Sequence, residues 1–247
     1  MYANLQSCVQ LHNGLSVPFQ SSVGLKQGCN LSPLLFNIFI NEFVRELNSN
    51  SNGDAPTLGD IPVKCLLYAD DLVLVSESEG GLQDSIDILN GYTNKWFLDV
   101  NLSKTKCITF AKGYTGQKQY HWKLGDVEIE PCESYCYLGV MFSKSGSMRE
   151  ACKALRDKAQ GAMFSLIRNI NKHRTVDPAL LMELFDKLIS PIVLYNSEVW
   201  GTSFLPCNSN RTNIFGYAFL DKHLAEKLHL TFLKIIMGVH SKTTNGQ

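Results

Sequence analysis

Two adjacent carboxylates interrupt a stretch of the sequence that is otherwise almost wholly apolar. The stretch runs from Cys65 to Val75, and Asp70 and Asp71 are its only charged residues. A desolvated carboxylate without a partner is very costly, so such a pair needs a basic neighbour, protonation or a bound divalent cation. Lys64 is the nearest cation in the sequence and stands at the edge of the stretch. The pattern therefore favours a β-hairpin that presents two carboxylates to metal ions.

The size and composition of the chain favour a globular fold. Its 247 residues can form one large domain or two modest ones, and 45% of them are hydrophobic against 19% charged. No stretch approaches the ~18 consecutive apolar residues that a membrane span needs. The N-terminal segment also lacks the basic start and apolar core of a signal peptide. We therefore expect no association with a membrane.

The 8 cysteines are scattered along the chain, which is typical of reduced thiols in an intracellular protein. Only Cys132 and Cys136 lie close together in sequence, and no second pair of cysteines or histidines follows at zinc-finger spacing. We therefore do not expect a zinc site.

The formal net charge is zero, which argues against a strongly basic nucleic-acid-binding protein when charge is averaged over the chain. The average hides a basic segment at residues 144–174, where eight Lys or Arg residues stand against Glu150 and Asp157. This segment has the charge needed to contact phosphates, although a row of charges on a helix is more often a solvated face.

Hydrophobic periodicity and turn residues predict a mixed architecture. Asn13-Gly14 indicates a hairpin turn, Ser32-Pro33 begins a helix, and residues 61–75 form two strands joined by a tight turn near the acids. The other predictions are a loop at 48–60, single strands around 123–129 and 135–142, and helices at 81–96, 148–170, 177–195 (with Pro191 as a candidate break) and 228–237. Val100, Cys107, Ile108 and Phe110 suggest a further strand, preceded by the turn residues Asn101 and Ser103. This order predicts an α+β fold with a boundary near residue 145.

Four blocks of the sequence follow one another at characteristic spacing. They are Gly24–Asn37, which contains Gln27-Gly28; Tyr68–Asp71, which reads Tyr-Ala-Asp-Asp; Asn101–Lys106; and Tyr137–Gly139. In order and spacing they resemble the motifs of reverse transcriptases, most closely those of non-LTR (LINE-type) retrotransposons. The resemblance covers the chain from its start to the basic segment, and the C-terminal hundred residues less closely.

The resemblance implies a partial polymerase palm at residues 1–145, made of a small antiparallel sheet with helices, and a helical, thumb-like region at 146–247. Asp70 matches the principal catalytic carboxylate of the palm hairpin, and Asp71 matches its neighbour, while the alternative is an ordinary surface turn with two acids. Both would hold Mg²⁺, a hard cation that prefers carboxylate oxygens, water and substrate phosphates. By the same resemblance the partners are an RNA template, a DNA primer and deoxynucleotide triphosphates, and a retrotransposon enzyme would act in the nucleus.

Two further matches point to the nucleotide. Gln27 and Gly28 resemble the segment that lines the pocket for the incoming nucleotide and template, while the alternative is an ordinary turn before the helix. Lys104 matches a lysine near the nucleotide phosphates that could protonate the leaving group. Lys106 competes for that role, and either lysine could instead be a solvated surface residue.

The remaining matches point to the primer and the nucleic-acid backbone. Tyr137, Leu138 and Gly139 resemble the primer grip, a turn that holds the primer terminus, with a plain strand end as the alternative. Arg149, Lys153 and Arg156 fall three and four residues apart, so they share one helix face. In the family this helix would follow the template–primer backbone.

The family's active site also needs a carboxylate on a strand that precedes Gln27-Gly28. The first acidic residue in this sequence is Glu42, so no such carboxylate is present before residue 24. We therefore expect a fragment of a reverse transcriptase that has little polymerase activity alone. The alternatives are a non-catalytic nucleic-acid-binding module and a relic product without function.

Overall fold

The computed structural model describes residues 5–21, 24–26, 28–50, 54–110, 120–170, 177–201 and 224–239. The chain divides into two compact units. Unit 1 contains Met1–Thr105 and Gln119–Glu130, and unit 2 contains Lys106–Lys118 and Pro131–Gln247. Helices and small antiparallel hairpins alternate, so the prediction of an α+β fold is confirmed. Among the described helices, none is both long and apolar enough to cross a bilayer.

The described residues of unit 1 combine five two-stranded antiparallel sheets with two long helices. The elements are β1 (Leu5–Ser7), β2 (Gln10–Leu11), β3 (Gly14–Leu15), β4 (Phe19–Ser21), α1 (Ser32–Asn50), β5 (Thr57–Leu58), β6 (Ile61–Pro62), β7 (Cys65–Tyr68), β8 (Asp71–Leu74), α2 (Glu79–Trp96), β9 (Trp122–Leu124) and β10 (Val127–Ile129). The sheets pair β1 with β4, β2 with β3, β5 with β6, β7 with β8, and β9 with β10.

The core of unit 1 lies between α1, α2 and the hairpin β7–β8. Phe43 and Leu47 of α1 are fully buried against Tyr92 of α2, whose hydroxyl donates to the Phe39 carbonyl at 2.8 Å. Cys65 and Leu72 place one face of the β7–β8 hairpin on this cluster. Two helices and a hairpin thus share one apolar centre, which fixes where the tip of the hairpin lies within unit 1.

Helix α2 has a well-defined start and a second hairpin packed along it. The Ser78 hydroxyl accepts from the Gly81 amide at 3.1 Å, as expected of an N-cap. The buried Trp122 indole donates to the Glu79 carbonyl at 3.1 Å, and Gln83 makes two hydrogen bonds to the Lys123 backbone. The β9–β10 hairpin is therefore held on α2 by both packing and hydrogen bonds.

Unit 2 contains one described hairpin and a group of helices. Its elements are β11 (Ser134–Tyr137), β12 (Val140–Ser143), α3 (Arg149–Ile170), α4 (Pro178–Leu188), α5 (Ser190–Val193), α6 (Ser197–Trp200) and α7 (Leu224–Ile236). The larger core joins Met163 of α3, Phe185 of α4 and Phe232 of α7. A second cluster places Cys152 and Leu155 of α3 against Trp200. The predicted domain boundary near residue 145 stays a prediction.

Most of the predicted elements are confirmed, but three predicted strands differ. The single strands predicted at 123–129 and 135–142 are each a hairpin of two paired strands. The predicted turn at Asn101–Ser103 is confirmed, because Asn101 accepts hydrogen bonds from the amides of Lys104 and Thr105 and from two hydroxyls. The strand predicted after it is wrong, since the pairing there is an isolated bridge between Cys107 and Pro131.

Three smaller predictions are displaced. The first hairpin turns at residues 12–13, because Leu11 pairs with Gly14. The predicted loop at 48–60 contains some regular secondary structure, since α1 continues to Asn50 and β5 begins at Thr57. The break in the helix at 177–195 falls at Ile189, because Pro191 has no N–H to donate to the carbonyl four residues earlier.

Candidate active site

The two carboxylates lie at the end of a tight hairpin, as the sequence predicts. Tyr68 pairs with Asp71, so Ala69 and Asp70 are the two turn residues. Ala69 has φ 52°, a left-handed conformation that costs a residue with a side chain about 1 kcal/mol or more. Two residues suffice to reverse the chain, and the reversal places one carboxylate in the turn and the other at the start of β8.

The hairpin has one packed face and one exposed face. Cys65, Leu72 and Leu74 lie on the packed face, while Leu66 and Tyr68 on the other face are 48% and 63% exposed. Asp70 and Asp71 are both exposed. The turn carries these acids beyond the core while their apolar neighbours anchor the strands, so the carboxylates are not desolvated.

Lys64, the cation nearest to the acids in the sequence, contacts the end of α1. Its ammonium group donates to the carbonyls of Leu47 and Asn48, at 3.5 and 3.4 Å. These carbonyls belong to the last turn of α1, where a cation is favoured by the helix dipole. The adjacent Val75 amide donates to the Lys64 carbonyl at 2.9 Å, so this residue links the hairpin to the end of α1.

The carboxylate pair has the right chemistry for a divalent cation but offers few ligands. Carboxylate oxygens suit Mg²⁺, which retains several waters and takes further oxygens from substrate phosphates. Within the described ranges, no group of three or more His, Cys, Asp or Glu side chains could hold a metal ion. Asp70 and Asp71 therefore fit part of a magnesium site, and the remaining ligands have to come from elsewhere.

Two of the described thiols have strongly raised pKa values. Burial raises the pKa of Cys152 to about 11, and burial together with the neighbouring Cys132 raises the pKa of Cys107 to about 11. A metal-binding cysteine has to be deprotonated. These two thiols are thus protonated under ordinary conditions.

The predicted nucleotide-pocket residues are only partly described. Gln27 lies outside the described residues, whereas Gly28 has φ 79° and requires the freedom of glycine. The Ser32 hydroxyl donates to the Lys26 carbonyl at 2.8 Å, and the Ser32 amide donates to the Cys29 carbonyl at 3.2 Å. This segment is thereby folded tightly against the start of α1, and its role at a nucleotide stays a prediction.

The lysine that the sequence places near the phosphates lies in the Asn101 turn. The Lys104 side chain is exposed, and its amide donates to the carbonyl and to the side-chain oxygen of Asn101, at 3.1 and 3.3 Å. Lys104 belongs to unit 1, as do Asp70 and Asp71. Its catalytic role stays a prediction.

The predicted primer grip is the turn of the β11–β12 hairpin in unit 2. Tyr137 pairs with Val140, and the turn residues Leu138 and Gly139 have φ 46° and 80°. Positive φ at both central positions is the type I′ pattern of tight hairpins. Sequence reasoning missed Tyr195, whose hydroxyl donates to the Leu138 carbonyl at 3.0 Å. Nothing local marks this residue, because it follows the turn by more than fifty positions.

The predicted basic face lies on α3, but its three members have different surroundings. Arg149 and Lys153 are exposed. The Arg156 guanidinium pairs with Asp157 at 2.7 Å, and its Nε is buried and has no hydrogen-bond partner among the described residues. Arg149 and Lys153 are therefore better placed than Arg156 to contact phosphates.

Comparisons with known proteins point to reverse transcriptases. A family model described as reverse transcriptase (RNA-dependent DNA polymerase) matches residues 2–142. The chain is 26% identical over 214 residues to "Probable RNA-directed DNA polymerase from transposon BS" of Drosophila melanogaster, covering 83% of this chain and 23% of that protein. It is 31% identical over 185 residues to "Retrovirus-related Pol polyprotein from type-2 retrotransposable element R2DM" of the same species, covering 70% and 17%.

A wasp protein gives a similar match. "Retrovirus-related Pol polyprotein from type-1 retrotransposable element R2" of Nasonia vitripennis is 30% identical over 136 residues, which cover 51% of this chain and 13% of that protein. The chain thus spans less than a quarter of the length of each of these three relatives.

Proposed function

The chain belongs to the reverse transcriptase family, and on this premise we propose that it contributes part of a polymerase palm that extends a DNA primer on an RNA template. The observation that carries this proposal is the exposure of Asp70 and Asp71 at the tip of a hairpin whose other face is fixed in the core of unit 1. The predicted resemblance to reverse transcriptases of retrotransposons is confirmed by the family model and by the names of the relatives.

Asp70 and Asp71 would hold divalent metal ions, which reverse transcriptases generally use. When bound, a pair of Mg²⁺ ions activates the primer 3′-oxygen and offsets charge on the leaving pyrophosphate. The contribution of the chain is position, because the packed strands β7 and β8 hold both carboxylates at one place in solvent. Because both carboxylates are exposed, a hydrated ion and a phosphate can reach their oxygens without any movement of the packed strands.

The other predicted residues would act on the substrates. We assign Gln27 and Gly28 to the pocket of the nucleotide and template, and Lys104 to the leaving pyrophosphate as a proton donor. The Tyr137–Gly139 turn would hold the primer terminus. Deoxynucleotide triphosphates would be the substrates and the nucleus the place of action, as for a retrotransposon enzyme.

The described residues supply only two of the carboxylates that two-metal chemistry uses. A further carboxylate has to join Asp70 and Asp71 before both ions are held, so we expect the 247-residue chain to incorporate few nucleotides by itself. Primer extension on an RNA template with Mg²⁺ or Mn²⁺ measures this. Robust incorporation that disappears in Asp70→Ala would contradict the incomplete site and would show that another group completes it.

Metal binding tests the site independently of turnover. We expect Mn²⁺ to bind the chain weakly in electron paramagnetic resonance titrations, and the affinity to rise with an RNA–DNA hybrid because its phosphates add oxygen ligands. Asp70→Asn and Asp71→Asn each lower the affinity. Asp60→Asn is the matched control, since Asp60 is an exposed acid at the turn of the β5–β6 hairpin. Equal Mn²⁺ binding by all variants would refute the assignment.

A second candidate function is a nucleic-acid-binding module without catalysis, which the exposed basic residues of α3 favour. It predicts salt-sensitive binding of an RNA–DNA hybrid that survives Asp70→Ala and weakens in Arg149→Gln/Lys153→Gln. Lys158→Gln is the control, because residue 158 lies on the opposite face of the same helix from Arg149. Two results together favour this candidate. The chain binds the hybrid without any dependence on metal, and a longer protein that supplies a further carboxylate still incorporates no nucleotides.

A further inference from the structure

The residues of the Leu138–Gly139 turn, which is predicted to hold the primer terminus, do not all favour its conformation. Leu138 has φ 46°, although a residue with a branched side chain is disfavoured at a left-handed position. Asn, Asp or Gly would be the usual choice at this place in a type I′ turn. A strained turn persists when its surroundings determine it, so a contact outside the hairpin is expected.

Tyr195 supplies that contact. Its hydroxyl donates to the Leu138 carbonyl at 3.0 Å, and its ring lies so close to Gly139 that a Cβ there would be 2.9 Å from Cε1. One side chain therefore binds the backbone of both turn residues, one by a hydrogen bond and the other by close approach. Gly139 is required at its position for its positive φ and for this approach.

Tyr195 is itself fixed to the helix that carries the basic face. The Trp200 indole donates to the Tyr195 carbonyl at 2.8 Å. Trp200 is 4% exposed and packs against Cys152 and Leu155 of α3. The contacts thus run within unit 2 from the basic helix through Trp200 and Tyr195 to the Leu138–Gly139 turn.

We infer that Tyr195 is a positioning residue that sets the predicted primer-grip turn relative to the basic face of α3. The inference rests on the proposed function, which gives the turn its contact with the primer terminus. Arg149 and Lys153 would bind the backbone of the hybrid, and Tyr195 would hold the turn where the 3′ end of a primer on that backbone lies. Tyr195 is 45% exposed, so it is partly open to solvent.

The test compares a recessed primer end with a blunt end in the 247-residue chain. One probe is an RNA template with a shorter DNA primer that carries 2-aminopurine at its 3′-terminal nucleotide, and the other is a blunt hybrid of the same duplex sequence. Tyr195→Phe removes one hydroxyl–carbonyl hydrogen bond. We expect it to weaken binding of the recessed end about three- to tenfold, and to reduce the 2-aminopurine fluorescence change, while binding of the blunt hybrid changes less than about twofold.

Tyr92→Phe is the matched control. It also removes one hydroxyl–carbonyl hydrogen bond, that of Tyr92 to Phe39 at 2.8 Å, but in the core of unit 1. A general loss of stability would therefore affect both variants, whereas loss of turn position affects the terminal probe in Tyr195→Phe alone. Thermal unfolding of each variant is measured beside the binding.

A second variant, Gly139→Ala, changes the same contact from the side of the turn. Gly139→Ala leaves the Tyr195 hydroxyl in place but forces the ring or the turn to move. We expect the same selective loss at the recessed end. If the wild-type chain binds the recessed end more tightly than the blunt end and neither variant changes that difference, the role of Tyr195 is overturned and the proposed function stands. Equal binding of recessed and blunt ends by the wild-type chain overturns both.

Discussion

Removing the Phe43 side chain tests whether the core of unit 1 is what positions the two carboxylates. Phe43 is 0% exposed, its ring centroid lies 5.4 Å from that of Tyr92, and it belongs to the cluster on which Cys65 and Leu72 of the hairpin pack. Phe43→Ala loses the burial of the ring and leaves a cavity between two helices. A change of this kind costs about 3–5 kcal/mol, which is a large fraction of the 5–15 kcal/mol that stabilises a typical domain.

Hydrogen exchange measures this loss of stability at the strands that carry the two carboxylates. Amides of β7 and β8 that exchange only on unfolding of unit 1 should lose about a hundredfold or more of their protection in Phe43→Ala, since 1.4 kcal/mol corresponds to a factor of ten. Amides of α3 and α4 in unit 2 serve as the internal reference. Mn²⁺ affinity should fall in parallel once unit 1 is partly unfolded, because the carboxylates then lose their common position.

Leu34→Ala is the control on the same helix, because Leu34 of α1 is 56% exposed. It should change the free energy of unfolding by less than about 0.5 kcal/mol. A Phe43→Ala cost below about 1.5 kcal/mol, or equal effects of the two changes, would refute the view that this cluster anchors the hairpin.

The remaining predictions concern the turn, the end of α1 and the thiols. Ala69→Gly should raise the free energy of unfolding by up to about 1 kcal/mol in urea denaturation, because glycine accepts the positive φ without strain; a clear decrease would contradict the strain at the turn. Lys64→Met should lower the free energy of unfolding by about 0.3–1 kcal/mol at low salt and by less at high salt, since the ammonium group interacts with the last carbonyls of α1. An effect that does not depend on salt would point to packing of the side chain instead. The raised pKa values of Cys107 and Cys152 mean that the unfolded chain loses these protons first, so their contribution to stability is complete below about pH 9, the ordinary thiol value, and declines as the pH rises toward 11. Alkylation with iodoacetamide at pH 8 should accordingly modify the exposed Cys8 and Cys136 before Cys107 and Cys152, and simultaneous modification of all four would contradict this protection.

Local sequence was sufficient where a short segment satisfies its own backbone. The β7–β8 hairpin, the start of α1 at Ser32 and the long helix α3 were all predictable, because turn residues, caps and periodicity act over a few positions. The strand predicted after the Asn101–Ser103 turn was not, since Cys107 pairs with Pro131 in an isolated bridge and not within a strand. Its apolar residues had the composition of a strand, but composition does not say whether a partner strand is available.

The sequence by itself determined the family, because motif order along the chain is a property of the sequence, and it predicted the role of Asp70 and Asp71. Only the tertiary structure decided that Asp70 and Asp71 are exposed, that Lys64 binds the end of α1, and that the Nε of Arg156 is buried. It also brought Tyr195 to the Leu138–Gly139 turn across more than fifty residues of sequence. Solvent exposure and contacts between distant residues depend on how the elements pack, and no local pattern specifies that packing.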